Sequence, residues 1–98
     1  MKIEKTLEGK RLAVRLEGEL NTVTAPELEA AIASDLASID DIVFDMSELT
    51  YITSAGLRIL LVCQQEVEDR GEVVVCGANP EIREIMEVTG FDSIMTLQ

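Results

Sequence analysis

Along residues 11–18, Leu12, Val14 and Leu16 interleave with Arg11, Ala13, Arg15 and Glu17. A period of two predicts a strand with one wet face. Lys2 to Leu7 precedes it, and Glu8-Gly9-Lys10 joins the two as a tight turn, so the chain is expected to open with a β-hairpin. Thr24-Ala25-Pro26-Glu27 then has the form of a capping box, with proline in the first helical turn where its missing N–H costs nothing. The helix predicted there runs from about residue 25 to 37 and turns Leu28, Ala31, Ile32 and Leu36 inward. Ile42-Val43-Phe44-Asp45-Met46 is short and apolar, which predicts a central strand covered on both faces.

Residues 47–56 break both periods and are expected to form a loop, followed by a helix over Leu57 to Asp69 that Arg70-Gly71 brings to an end. Glu72 to Gly77 predicts a second buried strand. Asn79 is an expected N-cap with Pro80 at the first helical position, and Ile82, Ile85, Met86 and Thr89 hold a helical period as far as Gly90. Ile94 to Leu97 adds a short edge strand. Apolar strands alternating with amphipathic crossovers imply an α/β class, one domain over residues 1–98, with a mixed four- to five-stranded sheet and helices packed on it.

Composition narrows the function. With 8 Lys and Arg against 19 Asp and Glu, the formal net charge is −11, and there is no histidine. That excludes Ser-His-Asp and Cys-His catalysis, imidazole metal ligation and a histidine pH switch. Polyphosphate backbones are bound through clustered cations, so direct nucleic-acid binding is not expected. The charged start, Met-Lys-Ile-Glu-Lys, does not resemble a signal peptide, and no apolar run is long enough for a membrane span, so a cytoplasmic protein with no membrane contact is expected. Cys63 and Cys76 both sit in apolar runs, where free cysteine packs as a small hydrophobe. Charge is also uneven, because residues 1–15 carry five cations against two acids and the remainder is strongly acidic. The basic hairpin is either a solvated edge protected from edge-to-edge pairing or a polar contact site.

The segment after the central strand carries the candidate chemistry, since sites in α/β sheets gather at strand carboxyl ends. Thr53-Ser54-Ala55-Gly56 lies there, with Gly56 expected to keep the backbone beside the hydroxyl approachable. Ser54 or Thr53 caps the following helix, and a cap is compatible with a phosphorylation site because phosphate is favoured at a helix N-terminus. The run from Asp45 through Ser47-Glu48-Leu49-Thr50-Tyr51-Ile52 to Thr53-Ser54-Ala55-Gly56-Leu57-Arg58 resembles the signature of STAS domains, specifically the stand-alone bacterial anti-sigma factor antagonists. The resemblance extends to Gly18 through Leu28 and to Asn79 through Asp92, hence over nearly the whole chain.

That resemblance implies a switch and no catalysis, with no cofactor and no metal. The unphosphorylated antagonist binds an anti-sigma factor that is also a serine kinase and so frees the sigma factor; phosphorylation ends the binding, and a PP2C-type phosphatase resets it. Ser54 matches the family phosphoserine. Thr53 stands where the family usually has Asp, which removes a carboxylate and makes Thr53 a second candidate acceptor. The resemblance also points to Asn21 and Thr22 as partner contacts, with turn chemistry as their alternative. Tyr51, Thr53, Ser54, Ala55, Gly56 and Arg58 complete the expected partner-binding set, although Tyr51 could pack under the loop as Ile52 is expected to. Arg58 pairs with an acid or faces the partner or the phosphate. Asp45 and Glu48 support the loop or help to position the serine. An enzyme would need a base beside Ser54, and a nucleotide-binding module would need a P-loop or glycine fingerprint; the chain shows neither arrangement. The alternative function is a phosphorylation-independent STAS scaffold subunit of a larger sensory or transport complex.

Overall fold

A computed structural model describes all residues, 1–98. Strands β1 (Lys2–Glu8) and β2 (Arg11–Leu20) form the expected hairpin, turning at Gly9 with φ of 63°. Helix α1 (Ala25–Ile32), strand β3 (Asp41–Ile52), helix α2 (Ser54–Val67), strand β4 (Val73–Cys76) and helix α3 (Pro80–Val88) follow, then a 3-10 turn at Phe91–Ser93 and strand β5 (Thr96–Leu97). The sheet order is β1-β2-β3-β4-β5, with the first pair antiparallel and the other three parallel. This is a five-stranded mixed sheet in an α/β fold.

One face of the sheet builds the core. Leu12, Val14 and Leu16 of β2 join Ile42, Phe44 and Met46 of β3, Val73 and Val75 of β4, and the inward stripes of all three helices in one cluster. The other face carries Arg11, Ala13, Arg15, Asp41, Val43 and Asp45, all exposed or half-buried. The central strand is therefore not covered on both faces as expected. Cys63 is buried in the core, while Cys76 is only half-buried, because its register partner Asp45 sits on the open face.

The expected loop is mostly strand. Between Arg15 and Leu20, β2 advances five residues while β3 advances seven from Asp45 to Ile52. Two inserted residues make two β-bulges, and each puts two exposed residues in succession, Ser47-Glu48 and Thr50-Tyr51. Broken alternation looks like a loop in sequence. The first bulge is held by Asp45 Oδ1, which accepts from Ser47 N at 3.0 Å and Ser47 Oγ at 2.7 Å. At the second, Thr50 Oγ1 donates to Gly18 O at 3.0 Å.

Helix α1 ends at Ile32, short of the expected 37; turns continue through Ser34, Asp35 and Ser38, which are weak helix formers, and Lys5 Nζ holds Ala31 O at 2.6 Å and Asp35 at 2.8 Å. No capping box forms. Thr24 Oγ1 instead donates to Glu19 O at 2.7 Å, and Asn21 Oδ1 accepts from Val23 N and Thr24 N at 2.9 and 3.0 Å. Helix α2 begins three residues earlier than expected and stops at Val67. Gly71 has no positive φ; alanine there would run into Asp40 O and Asp41 Oδ1, so it serves a close approach and not a left-handed cap. Asn79 does cap α3, accepting from Ile82 N at 2.8 Å.

Candidate functional site

The carboxyl ends of β2 and β3 finish side by side, with Leu20 paired to Ile52 and Thr53 N–H donating to Leu20 O at 3.0 Å. Helix α2 starts at the next residue. Thr53 is its N-cap, in extended backbone with φ of −105°, and its side chain makes no capping bond; the first i→i−4 bond runs from Leu57 N to Thr53 O at 3.0 Å. The amides ahead of Leu57 have no acceptor within the helix. Ser54, the first helical residue, is exposed, and its hydroxyl makes no hydrogen bond to protein. Neither hydroxyl caps the helix, contrary to expectation. Thr53 Oγ1 is the one buried side-chain polar atom with no partner.

Several expected site residues do gather here. The hydrogen bond to Leu20 brings the Asn21-Thr22 turn beside the start of α2. Thr22 is exposed, but the Asn21 side-chain oxygen is engaged in holding the turn. Val23, in the same turn, is 76% exposed and went unnoticed in the sequence, where a single valine between threonines gives no period to read. Gly56 points inward. A Cβ there would lie 2.7 Å from Leu20 Cγ and 2.8 Å from Ile52 Cγ1, so this glycine seats the helix against the strand ends and exposes nothing to a partner. Ala55 is half-buried. Arg58 is exposed, one turn after Ser54, and takes part in no ion pair or hydrogen bond.

Asp45 and Glu48 are not beside Ser54. Asp45 is five β2 residues away from Ile52 along the paired strands, about 17 Å at strand rise. The two Ser47 hydrogen bonds, backbone first, hold its carboxyl below the usual range, with Arg15 adding a smaller pull. Glu48 faces Arg15 at 3.8 Å. Both belong to the first bulge and the open face. Arg15, Arg11, Lys2 and Lys5 are all ion-paired within the protein, so the basic hairpin is largely neutralised by its own neighbours.

Tyr51, 43% exposed, lines a shallow groove of about 430 Å³ with Glu81, Glu84, Ile85, Val88 and Thr89 of α3 and its cap. Ile85 keeps the helical period and packs half-buried against the core while its edge borders this groove, Thr89 borders it from the exposed surface, and Val88, outside the period, is exposed. No group of three or more acidic, cysteine or histidine side chains is arranged to hold a metal ion. No helix is long and apolar enough to cross a membrane.

The STAS domain family model matches residues 2–98. The chain is a STAS domain. Among its relatives is BtrV of Bordetella bronchiseptica, named for a putative role as anti-sigma factor antagonist, which is 42% identical over 81 residues, 81% of this chain and 70% of that protein. The anti-sigma-B factor antagonist of Staphylococcus aureus is 27% identical over 97 residues, 97% of this chain and 90% of that protein. The fold matches SpoIIAA of Bacillus in its unphosphorylated form with a TM-score of 0.87, covering 99% of this chain and 88% of that one at 19% identity. The STAS domain to which this chain belongs is a regulatory binding module and not an enzyme.

Proposed function

We propose that this STAS domain is an anti-sigma factor antagonist switched at Ser54. Its unphosphorylated form binds an anti-sigma factor that is also a serine kinase and so releases a sigma factor. The kinase then passes the γ-phosphoryl of ATP to Ser54 Oγ, whose proton leaves as ADP departs, and binding ends. A PP2C-type phosphatase hydrolyses the ester and restores the binding form. The observation that carries this reading is the contrast between two neighbouring hydroxyls. Ser54 is exposed and uncommitted at the first position of α2, whereas Thr53 Oγ1 is sealed from solvent. Ser54 is therefore the acceptor and Thr53 is not. The names of the relatives support the partner class, and SpoIIAA itself has been solved in both unphosphorylated and phosphorylated forms.

The contact surface of the proposal comprises Thr22, Tyr51, Ser54 and Arg58, with Asn21, Ala55 and Gly56 shaping the backbone around them. A phosphate adds a charge of about −1.5 to −2 at pH 7. On a chain already at −11, placed at the centre of a contact, it disfavours binding through repulsion and desolvation, enough for a loss of about 100-fold in affinity. The test is mass spectrometry after incubation with the cognate kinase, beside a pull-down of the anti-sigma factor by phosphorylated and unphosphorylated protein. Modification confined to Ser54, with loss of the partner on phosphorylation, is the expected result. Normal modification of a Ser54→Ala variant would overturn the reading, and equal recovery of the partner by both forms would make the domain a phosphorylation-independent subunit.

A further inference from the structure

Of the eight Lys and Arg residues, six are held by other parts of the protein. Only Lys10, in the hairpin turn, and Arg58 make no contact with a protein acceptor. Arg58 is peculiar in its surroundings too. The helix positions within reach of its side chain, three and four residues either way, are Ser54, Ala55, Leu61 and Val62. None is acidic, in a chain with 19 acids, and the nearest carboxylate on α2 is Glu66, two turns away. The single polar group on that list is Ser54, four residues toward the N-terminus.

We infer that Arg58 is the intramolecular phosphate-binding residue of the switch, pairing with the phosphate on Ser54. The inference rests on Ser54 being the phosphorylated residue. Side chains four apart on a helix have their Cβ atoms about 5–6 Å from each other, and an anion placed N-terminal to a cation at that spacing is the favourable order. The guanidinium can donate two parallel N–H bonds to two phosphate oxygens, a geometry lysine does not offer. Because no carboxylate competes, the phosphate meets a free cation. Phosphorylation then does two things to the surface at once: it adds a dianion, and it takes the Arg58 guanidinium out of reach of any acidic group on a partner. The exposed patch around α2 turns from +1 to about −1.

The test uses full-length protein with phosphoserine installed at position 54 by genetic encoding, so it needs neither kinase nor partner. The second ionisation of the phosphate is followed by ³¹P NMR in the Arg58, Arg58→Lys and Arg58→Gln proteins. Pairing predicts a pKa about 0.3–0.7 unit lower with Arg58 than with the glutamine variant, an intermediate value for lysine, and loss of the difference in 1 M salt. The pull of the helix terminus on the phosphate is common to all three proteins and cancels. Equal values in the Arg58 and glutamine proteins overturn the inference. The unphosphorylated Arg58→Gln protein is expected to melt with the parent, since the side chain is exposed and makes no hydrogen bond or ion pair, and the comparison is made on protein shown to be folded in this way. If no kinase modifies Ser54 in the earlier experiment, the functional proposal fails while the ³¹P result still reports on Arg58.

Discussion

Replacing Gly56 with alanine inserts one methyl group where α2 crosses the ends of β2 and β3. The ideal Cβ lies 2.7 and 2.9 Å from Leu20 Cγ and Cδ2 and 2.8 Å from Ile52 Cγ1. Comfortable carbon–carbon separation is about 3.5–4.0 Å, so the neighbours must retreat by close to 1 Å. Leu20 and Ile52 are at most 1% exposed, and behind them is the core of the domain, so neither has free space to enter. Overpacking of this kind costs about 1–3 kcal/mol. Against it stands the helix preference of alanine over glycine, up to about 1 kcal/mol and smaller in a first turn. The net expectation is a loss of about 1–2 kcal/mol, or a fall in Tm of about 4–16 °C for a domain of this size. Urea denaturation followed by circular dichroism measures it, with a lowered midpoint and unchanged slope. Leu20→Ala supplies the cross-check. It opens a cavity and costs about 2–5 kcal/mol alone, but the double variant should lose less than the sum of the two, because the added methyl enters the space Leu20 vacates and only its contact with Ile52 remains. A Gly56→Ala protein as stable as the parent, or strictly additive losses in the double variant, would refute the packing account of this glycine.

Thr53→Val removes a buried hydroxyl that has no partner and keeps the shape of the side chain, so it is expected to stabilise the domain by up to about 1 kcal/mol, read as a raised Tm, and to leave Ser54 modifiable. Asp45 is held below its ordinary pKa by Ser47; its contribution to stability is present above the unfolded carboxyl pKa of about 3.9 and is lost as pH falls through the lower folded value. Ser47→Ala should flatten that part of the acid limb below pH 4 in a series of urea titrations, and an unchanged limb would count against the bulge contact. Burial pushes the Cys63 thiol up to about 12, and Cys76 is raised less by the same cause with Asp45 nearby. Iodoacetamide at pH 8 should therefore modify half-buried Cys76 slowly and Cys63 only on unfolding. The stabilising effect of the neutral Cys63 thiol is complete below the unfolded pKa of about 8.5 and declines as pH rises toward 12.

The fold class, the hairpin and the proline-started third helix were all legible in the sequence, since each rests on a local period or a single capping residue. What escaped was tertiary. Residues 47–52 look like loop because two inserted residues break the alternation twice, and only pairing with β2 shows the strand continuing. The Thr24-Glu27 pattern is sound capping chemistry, yet Thr24 found Glu19 O and Asn21 took over the turn. Gly56 illustrates the limit most clearly. As a residue type it suggested an open approach to the serine, and only the positions of Leu20 and Ile52, far apart in sequence, turn it into a packing requirement. Asp45 was associated with Ser54 by proximity along the chain, a distance that an extended strand converts into real separation.

The two bulges of β3 have a consequence for how such a segment can vary. A residue inserted in regular pairing would reverse the side of the sheet faced by everything after it, whereas a bulge absorbs the extra residue locally. Each bulge of β3 does this, so Leu49 after the first and Ile52 after the second both face the core although the alternation is broken twice. Substitution or deletion at Ser47 or Thr50 therefore alters the outer face only, and Ile52 stays paired with Leu20. The inherited quantity here is that pairing and not the length of the strand, and it fixes which hydroxyl of the Thr53-Ser54 pair meets the solvent.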